Sequence, residues 1–330
     1  MSILIRGGGV AAATCAHLLD ADDFAVSWQT GAQGPTPPIM LSGAALSLMR
    51  EVYGRPDLFG HCRPVKRRVV RWGAGEAVAV PHDGVVVLPH DLHGALGGQV
   101  VDGPETDPVL TIFAGQYVPD GNRLIFGRRT AFAARAAVDP DADGDCLVEA
   151  LAAGWLFLLP AEAGKGWLLG FGGPLHQLLR HSSLIAPLVE VEDEDGAPFE
   201  TAPHLTLPLA GWNWLACGTA ALRFDPICGD GTAQAVREGV LAAAVIGAIA
   251  QGGDREALLT HYRSMLVASM RRHLDLCARF YASGGKGPWW RAQVAELARG
   301  HEVCTRFLAK MPEPRFVLRD FALEPRAEAA

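Results

Sequence analysis

The chain has 330 residues, more than a single hydrophobic core usually organises, so its length fits two domains or one large α/β unit. Apolar residues make up 49% and charged residues 20%, which supplies a sizeable core and excludes a disordered chain. With 29 basic and 36 acidic side chains the formal net charge is −7, which speaks against a nucleic-acid-binding surface.

The first predicted element is a short buried strand, Ser2 to Arg6. It runs into Gly7-Gly8-Gly9; a helix follows over Val10 to Leu19, then a strand over Phe24 to Trp28. Strand, tight glycine turn, helix and strand in close succession form the βαβ opening of a dinucleotide-binding domain. A Pro/Gly loop from Gly34 to Pro38 precedes an amphipathic helix over Gly43 to Val52. β-Branched enrichment predicts strands over Val69 to Val80 and Gly84 to Leu88. A short helix, His90 to Leu96, leads through an abbreviated connection into a strand at Val109 to Phe113. Strand patterns at Arg123 to Phe126, Trp155 to Leu159 and Gly166 to Phe171 do not alternate with helices, which predicts a mainly antiparallel sheet in a separate layer. Glu190 to Asp195 reads as a solvated acidic loop. Trp214 to Cys217 enters Gly218, and helices follow over Thr232 to Ala250, Glu256 to Ala282 and Trp289 to Ala309. The tail from Glu324 to Ala330 is polar and expected to fray.

Seven cysteines, at positions 15, 62, 146, 217, 228, 277 and 304, form no CxxC pair. Neither a zinc knuckle nor a disulfide framework is expected, and they read as buried free thiols of a reducing compartment. No basic segment followed by an apolar run and a cleavage site opens the sequence. The longest apolar run, Val240 to Ala250, is about half of a bilayer span. The expectation is a cytoplasmic protein without a membrane span. Eleven histidines give no HxH or HxxxH set, and His90 with His93 lacks a third ligand, so no metal is expected. Ser182-Ser183 after His181 is not a nucleophile elbow, and no hydrolase constellation is apparent.

Two glycine motifs carry chemistry. In Gly7-x-Gly9-x-x-Ala12 the first glycine permits the bend and the second lets the backbone reach a pyrophosphate. The small third residue lets helix and strand pack, and the free N–H groups of the helix start, Val10, Ala11 and Ala12, attract the phosphates. The acidic residue expected on the ribose at the end of the second strand is replaced by Gln29, which can bond a hydroxyl without a charge.

The second motif spans residues 216–239, ACGTAALRFDPICGDGTAQAVREG. It resembles the C-terminal FAD motif of the flavoprotein hydroxylases and tryptophan-halogenase-like monooxygenases, where a strand meets G-D-A-A, then D-P, then G-x-G and a helix. Gly218, Ala220, Ala221, Asp225, Pro226, Gly229, Gly231 and Gly239 fall on that pattern. Thr219 stands where the family has an Asp on a ribityl hydroxyl. The resemblance implies that the glycines let the backbone lie against the isoalloxazine. The helix starting near Thr232 then turns its positive end to the pyrimidine side of the flavin. The implied cofactor is FAD, held by Gly7, Gly9, Val10, Ala11, Ala12, Gln29, Gly218, Thr219, Asp225, Pro226, Gly229, Gly231 and Thr232.

Other stretches resemble the same family. Val70-Arg71-Trp72-Gly73 is similar to its W-G strand, and Ala153 to Pro160 to its G-W-x-x-x-x-P strand. Phe280-Tyr281 and Pro288 to Arg291 are similar to aromatic pairs of its C-terminal helices. Over most of the chain the likeness is greatest to small flavoproteins that oxidise tryptophan side chains while quinone cofactors mature in amine and amino-acid oxidases. There are departures. His90 stands where the family has an Arg, and the D-G motif that hydroxylases use near NAD(P)H is not found. The halogenase motif W-x-W-x-I-P is absent, and Trp212-x-Trp214 reads as alternation on a strand.

The resemblance implies an α/β fold with a Rossmann-like FAD-binding domain built from residues 1–35, 88–116 and 206–255. An antiparallel-sheet substrate domain is inserted as 36–87 and 117–205, and a helical segment, 256–330, follows. The implied reaction is monooxygenation through a flavin C4a-hydroperoxide, directed at an aromatic ring, a tryptophan on a partner protein or peptide. A separate flavin reductase is the implied electron source, and no catalytic acid or base is singled out. Two alternatives stand beside this: a degenerate flavoprotein serving as a binding or maturation partner, and a flavin-dependent halogenase.

Overall fold

The computed structural model describes residues 1–30, 37–96, 108–115, 117–192 and 197–326. Ser2–Arg6 (β1) and Ala25–Gln29 (β2) pair in parallel. The helices, in chain order, are α1 (Val10–Ala21), α2 (Gly43–Val52), α3 (Pro89–Leu96), α4 (Leu175–Leu179), α5 (Gly231–Ala250), α6 (Arg255–Gly284) and α7 (Pro288–Leu308). In β1, Ile3, Leu4 and Ile5 are all buried, as expected of a strand covered on both faces.

Leu110–Phe113 pairs in parallel on the other side of β1, Trp214–Ala216 follows it in parallel, and Ala210–Gly211 closes that edge antiparallel. The chain thus adds β2 on one side of β1 and later strands on the other. Such a reversal opens a crevice at the carboxyl ends of the strands, where α/β sheets bind ligands.

α5 crosses α1 at close range because Gly239 has no side chain. A Cβ there would lie 2.6 Å from the Ala11 carbonyl oxygen and 2.7 Å from Thr14 Cβ. α5 is long and apolar enough to span a membrane, but two thirds of its most apolar window is buried in the fold, as befits a core helix. Asp254 caps the start of α6, its side chain accepting a 3.1 Å bond from the Ala257 N–H, and α7 packs along α6.

The second layer is a nine-stranded sheet in the order Val189–Val191, Thr130–Val138, Lys165–Phe171, Gly154–Glu162, Asp145–Leu151, Arg63–Arg71, Val78–Val87 and Ile39–Ser42. Phe199–Glu200 also pairs with Thr130–Val138. All pairings are antiparallel except Arg63–Arg71 with Asp145–Leu151.

Several sequence expectations change here. Val69 to Val80 is not one strand: the chain turns after Arg71 with Gly73 at φ 76°, and the next strand runs through Pro81 and Gly84. The start of the acidic stretch is an edge strand, because Val189–Val191 pairs with Ala136 to Val138. Trp212 is not on a strand; it sits in the turn between Ala210–Gly211 and Trp214–Ala216, 69% exposed, with the Arg255 guanidinium 5.0 Å from its ring. Glu324 does not fray, since Ala322–Pro325 forms a hairpin with Phe316–Arg319. The abbreviated connection (97–107) and parts of the Pro/Gly loop, acidic stretch and tail (31–36, 193–196, 327–330) lie outside the described residues.

Candidate cofactor-binding site

The crevice begins with the turn after β1. Gly7 takes φ 105°, and a Cβ on it would stand 2.3 Å from the Gly115 nitrogen, so only glycine fits. Its N–H donates to the Gln29 carbonyl (2.9 Å), and its carbonyl accepts from Trp28 Nε1 (2.7 Å). Gly9, at φ 97°, caps α1 with no side-chain hydrogen bond, and nothing lies within 4 Å of where its Cβ would be. α1 carries no acidic residue in its first turn. The N–H groups there, on Val10, Ala11 and Ala12, have no intrahelical partner and form a positive end suited to an anion. Gln29 ends β2 with an exposed side chain.

The facing wall follows Trp214–Ala216. Cys217 N–H donates to the Phe113 carbonyl (2.9 Å), and Gly218 then turns with φ 56°. A Cβ on Gly218 would be 3.1 Å from Ala11 Cβ, so the two glycine motifs meet at this point. The Gly218 N–H donates to Oε2 of the buried Glu238 (2.9 Å). Thr219 is exposed; its hydroxyl donates to the Ala114 carbonyl at 3.4 Å, and its carbonyl accepts from His204 Nε2 at 3.1 Å. Burial lowers the His204 imidazole to about 4, so it is neutral and donates from Nε2.

Further along, Pro226, Gly229 and Gly231 are exposed and Thr232 is half-buried. Gly229 takes φ 65°, and neither Gly229 nor Gly231 has an atom within 4 Å of a would-be Cβ. Asp230 precedes α5 without capping it, and α5 has no acidic residue in its first turn. Gly239 lies against Ala11, and at 1.5 Å per residue the start of α5 is about 12 Å further along its axis. Two uncapped helix starts and three open glycines, Gly9, Gly229 and Gly231, therefore stand along one crevice. The positive helix ends suit the phosphate-bearing part of an extended ligand, and the open glycines suit a flat part.

Asp225 stands apart from that wall. Its carboxylate is buried, 2.6 Å from Arg129 Nε, and accepts from the Tyr281 hydroxyl (3.1 Å) and the Ile227 N–H (3.0 Å). Burial raises its carboxyl above the usual range, with Arg129 and the hydrogen bonds opposing. Arg129 is itself held by Gln293 Oε1 (2.6 Å) and the Phe126 carbonyl (3.0 Å). The Asp225 N–H donates to His273 Nε2 at 2.7 Å, and Phe224 stacks on that imidazole at 3.9 Å. Asp225 thus anchors the loop that presents Pro226 to Gly231, and a direct cofactor contact would have to come from its neighbours.

Arg129, His204, Glu238 and His273 carry no mark in the sequence reading, and Tyr281 enters it only as one of an aromatic pair, not as the partner of Asp225. Their partners come from distant parts of the chain, so no local spacing marks them. His90, at the start of α3, is exposed, and its Nε2 is 3.4 Å from Asp91. Among the described residues, two groups have metal-ligating atoms close together: Cys228, His273 and Cys277, and the more exposed His61, Cys62 and Asp91.

No protein-family model and no curated protein sequence matches the chain. Its fold does match solved structures. It is similar to the peptidyl tryptophan dihydroxylase QhpG, described as essential for tryptophylquinone cofactor biogenesis, over 98% of this chain and 86% of that one, with a TM-score of 0.70 and 19% identity. It is similar to the flavin-dependent halogenase CmlS over 94% of this chain and 73% of that one, with a TM-score of 0.75 and 15% identity. It is also similar to HpxO from Klebsiella pneumoniae, solved with FAD and uric acid, over 94% of this chain and 96% of that one, with a TM-score of 0.64 and 15% identity. The chain has the α/β fold, with a Rossmann-like parallel sheet, of these FAD-dependent hydroxylases and halogenases.

Proposed function

We propose that this protein is an FAD-dependent monooxygenase acting on an aromatic ring, specifically a tryptophan side chain presented by a partner protein or peptide. The observation that carries the cofactor reading is the crevice itself, where open glycines and two uncapped helix starts follow one another beside the switch point of a parallel sheet. The residues present fit the group. Gly7, Gly9 and the first turn of α1 would take the pyrophosphate, Gln29 the ribose and Thr219 the ribityl chain. Gly229, Gly231 and Thr232 would take the flat ring, with Asp225 and Pro226 shaping the loop. The FAD-binding unit would draw on residues 1–35, 88–116 and 206–255.

Bound FAD would supply two-electron chemistry and the activation of molecular oxygen. The chain's part is to bind it, orient the accepting ring and exclude water. The positive start of α5 would favour negative charge on the reduced ring. An electron-rich indole needs no prior deprotonation, so the chain need not supply a catalytic base. A separate flavin reductase would supply the electrons. The seven free thiols suit the cytoplasm.

The substrate reading rests on the likeness of 98% of this chain to 86% of a tryptophan dihydroxylase. Its test is to co-express the chain with a neighbouring oxidase or peptide precursor and to weigh that precursor. The expected result is a gain of oxygen mass on a tryptophan, dependent on this chain. An unchanged precursor alongside turnover of a free small aromatic would refute it. The absence of W-x-W-x-I-P and the place of Trp212 in a turn disfavour halogenation. A degenerate, non-catalytic flavoprotein is the rival that the uncharged Gln29 and Thr219 support.

A further inference from the structure

Behind the loop that presents Gly229 and Gly231, two thiols from different elements meet. Cys228 Sγ, in the loop, lies 3.4 Å from Cys277 Sγ, in α6. Cys228 is half-buried, whereas Cys277 is fully buried. His273, one turn earlier on α6, places Nε2 3.3 Å from Cys277 Sγ. Three such ligands could suggest a metal, but the hydrogen bonding argues otherwise. His273 Nε2 accepts the Asp225 N–H at 2.7 Å, so its lone pair is engaged. Coordination through Nδ1 would instead leave a proton on Nε2, pointing at that same N–H. Burial, reinforced by Arg129, lowers this imidazole to about 3, which keeps it neutral and preserves the acceptor.

We infer that Cys228 and Cys277 form an oxidative modification site, a reversible disulfide between the crevice loop and α6, made by hydrogen peroxide. The sulfurs must approach from 3.4 Å to a bond length of about 2.05 Å, a closure of roughly 1.4 Å. The loop can supply it, because Gly229 follows Cys228 at φ 65° with open space around it, whereas α6 is locked in the core. The two thiols have separate roles. Burial holds the Cys277 thiol well above its ordinary value, so it is a poor first nucleophile. Cys228, reachable from outside, attacks one peroxide oxygen as its thiolate; the O–O bond breaks, giving a sulfenic acid and hydroxide. Cys277 sulfur then displaces the sulfenic oxygen, which leaves as water with the Cys277 proton. Overall, two thiols lose two electrons and two protons, and one peroxide becomes two waters.

The bond would draw the Cys228 side of the loop inward, away from the exposed faces of Pro226, Gly229 and Gly231. This consequence for the cofactor rests on the FAD reading above, but the bond itself does not. A flavoprotein that leaks peroxide during unproductive turnover would thereby restrain its own cofactor site.

The test titrates the reduced 330-residue chain with hydrogen peroxide, alkylates the remaining thiols and maps peptides by mass. The expected result is a linked Cys228–Cys277 peptide pair, two hydrogens lighter than its parts and released by dithiothreitol. FAD affinity should fall about tenfold in the oxidised form and recover on reduction. Cys277→Ser should lose the link and let Cys228 proceed to sulfinic acid, with Cys277→Ala as the second variant where the buried hydroxyl impairs folding. Sulfinic acid on Cys228 of the wild-type chain with Cys277 still open to alkylation would overturn the site. So would zinc released from these residues by a thiol reagent. Equal FAD affinity of the linked and reduced forms would overturn the coupling. FAD binding to neither form, with the linked peptide present, would refute the cofactor reading and the coupling while the modification site stands.

Discussion

Glu238 sits under Gly218, where the crevice wall turns, and its surroundings make it a sensor of pH. Burial raises its carboxyl from an ordinary 4.5 to about 8, against the bonds from Gln234 and the Gly218 N–H. The folded chain therefore holds a proton that the unfolded chain releases between those two values. The resulting stability is full below about pH 4.5 and is lost as pH rises through about 8. Glu238→Gln keeps a carbonyl for the Gly218 N–H and removes the titration. Melting curves across this range should fall less steeply with pH in the variant, with a relative gain on the order of a few kcal/mol at the alkaline end. Parallel pH profiles for variant and wild type would show that Glu238 does not titrate there. Residue-scale roles were only partly legible. The glycines Gly7, Gly9 and Gly218 announce themselves, because turns and close backbone approaches demand them. Asp225 was legible as a special residue but not as a buried partner of Arg129, since nothing in local spacing links positions so far apart.

At the scale of elements, two of the three glycines of α5, Gly231 and Gly239, have opposite meanings. Gly239 meets the backbone of α1, so Gly239→Val must push two helices apart, at a cost of about 3 kcal/mol or more. Gly231 has open space and no left-handed backbone, so Gly231→Val meets no protein atom. Its melting temperature should stay near wild type while FAD affinity drops tenfold or more, because the added methyl groups stand where the ring would lie. Unchanged FAD affinity in Gly231→Val would remove the start of α5 from the site. Gly9 is a poorer probe, since its φ of 97° strains any other residue whatever it touches. The helices were legible from 3.6-residue periodicity and nearly all were expected within a few residues. The second sheet was less so. Arg63–Arg71 carries charges along much of its length, Thr130–Val138 is alanine-rich, and Val78–Val87 contains Pro and Gly. Their pairing is set by long-range register rather than by propensity.

At the scale of the whole molecule, a parallel sheet and a nine-stranded sheet are tied together through the chain's repeated returns. The parallel sheet draws its strands from three separated stretches, and its crevice appears only when all three are in place. On the proposed reading, this crevice holds FAD without a covalent bond. Uncharged Gln29 and Thr219 stand where the flavoprotein hydroxylases that the sequence resembles carry acids, and each lost charge-assisted bond would weaken binding by about one to two decades. Titration of the apoprotein with FAD, followed by flavin fluorescence, tests this most directly. Saturable one-to-one binding, with a dissociation constant in the micromolar range and a yellow complex, is the predicted result. The absence of saturable binding up to high micromolar FAD, by a protein that melts cooperatively, would contradict it.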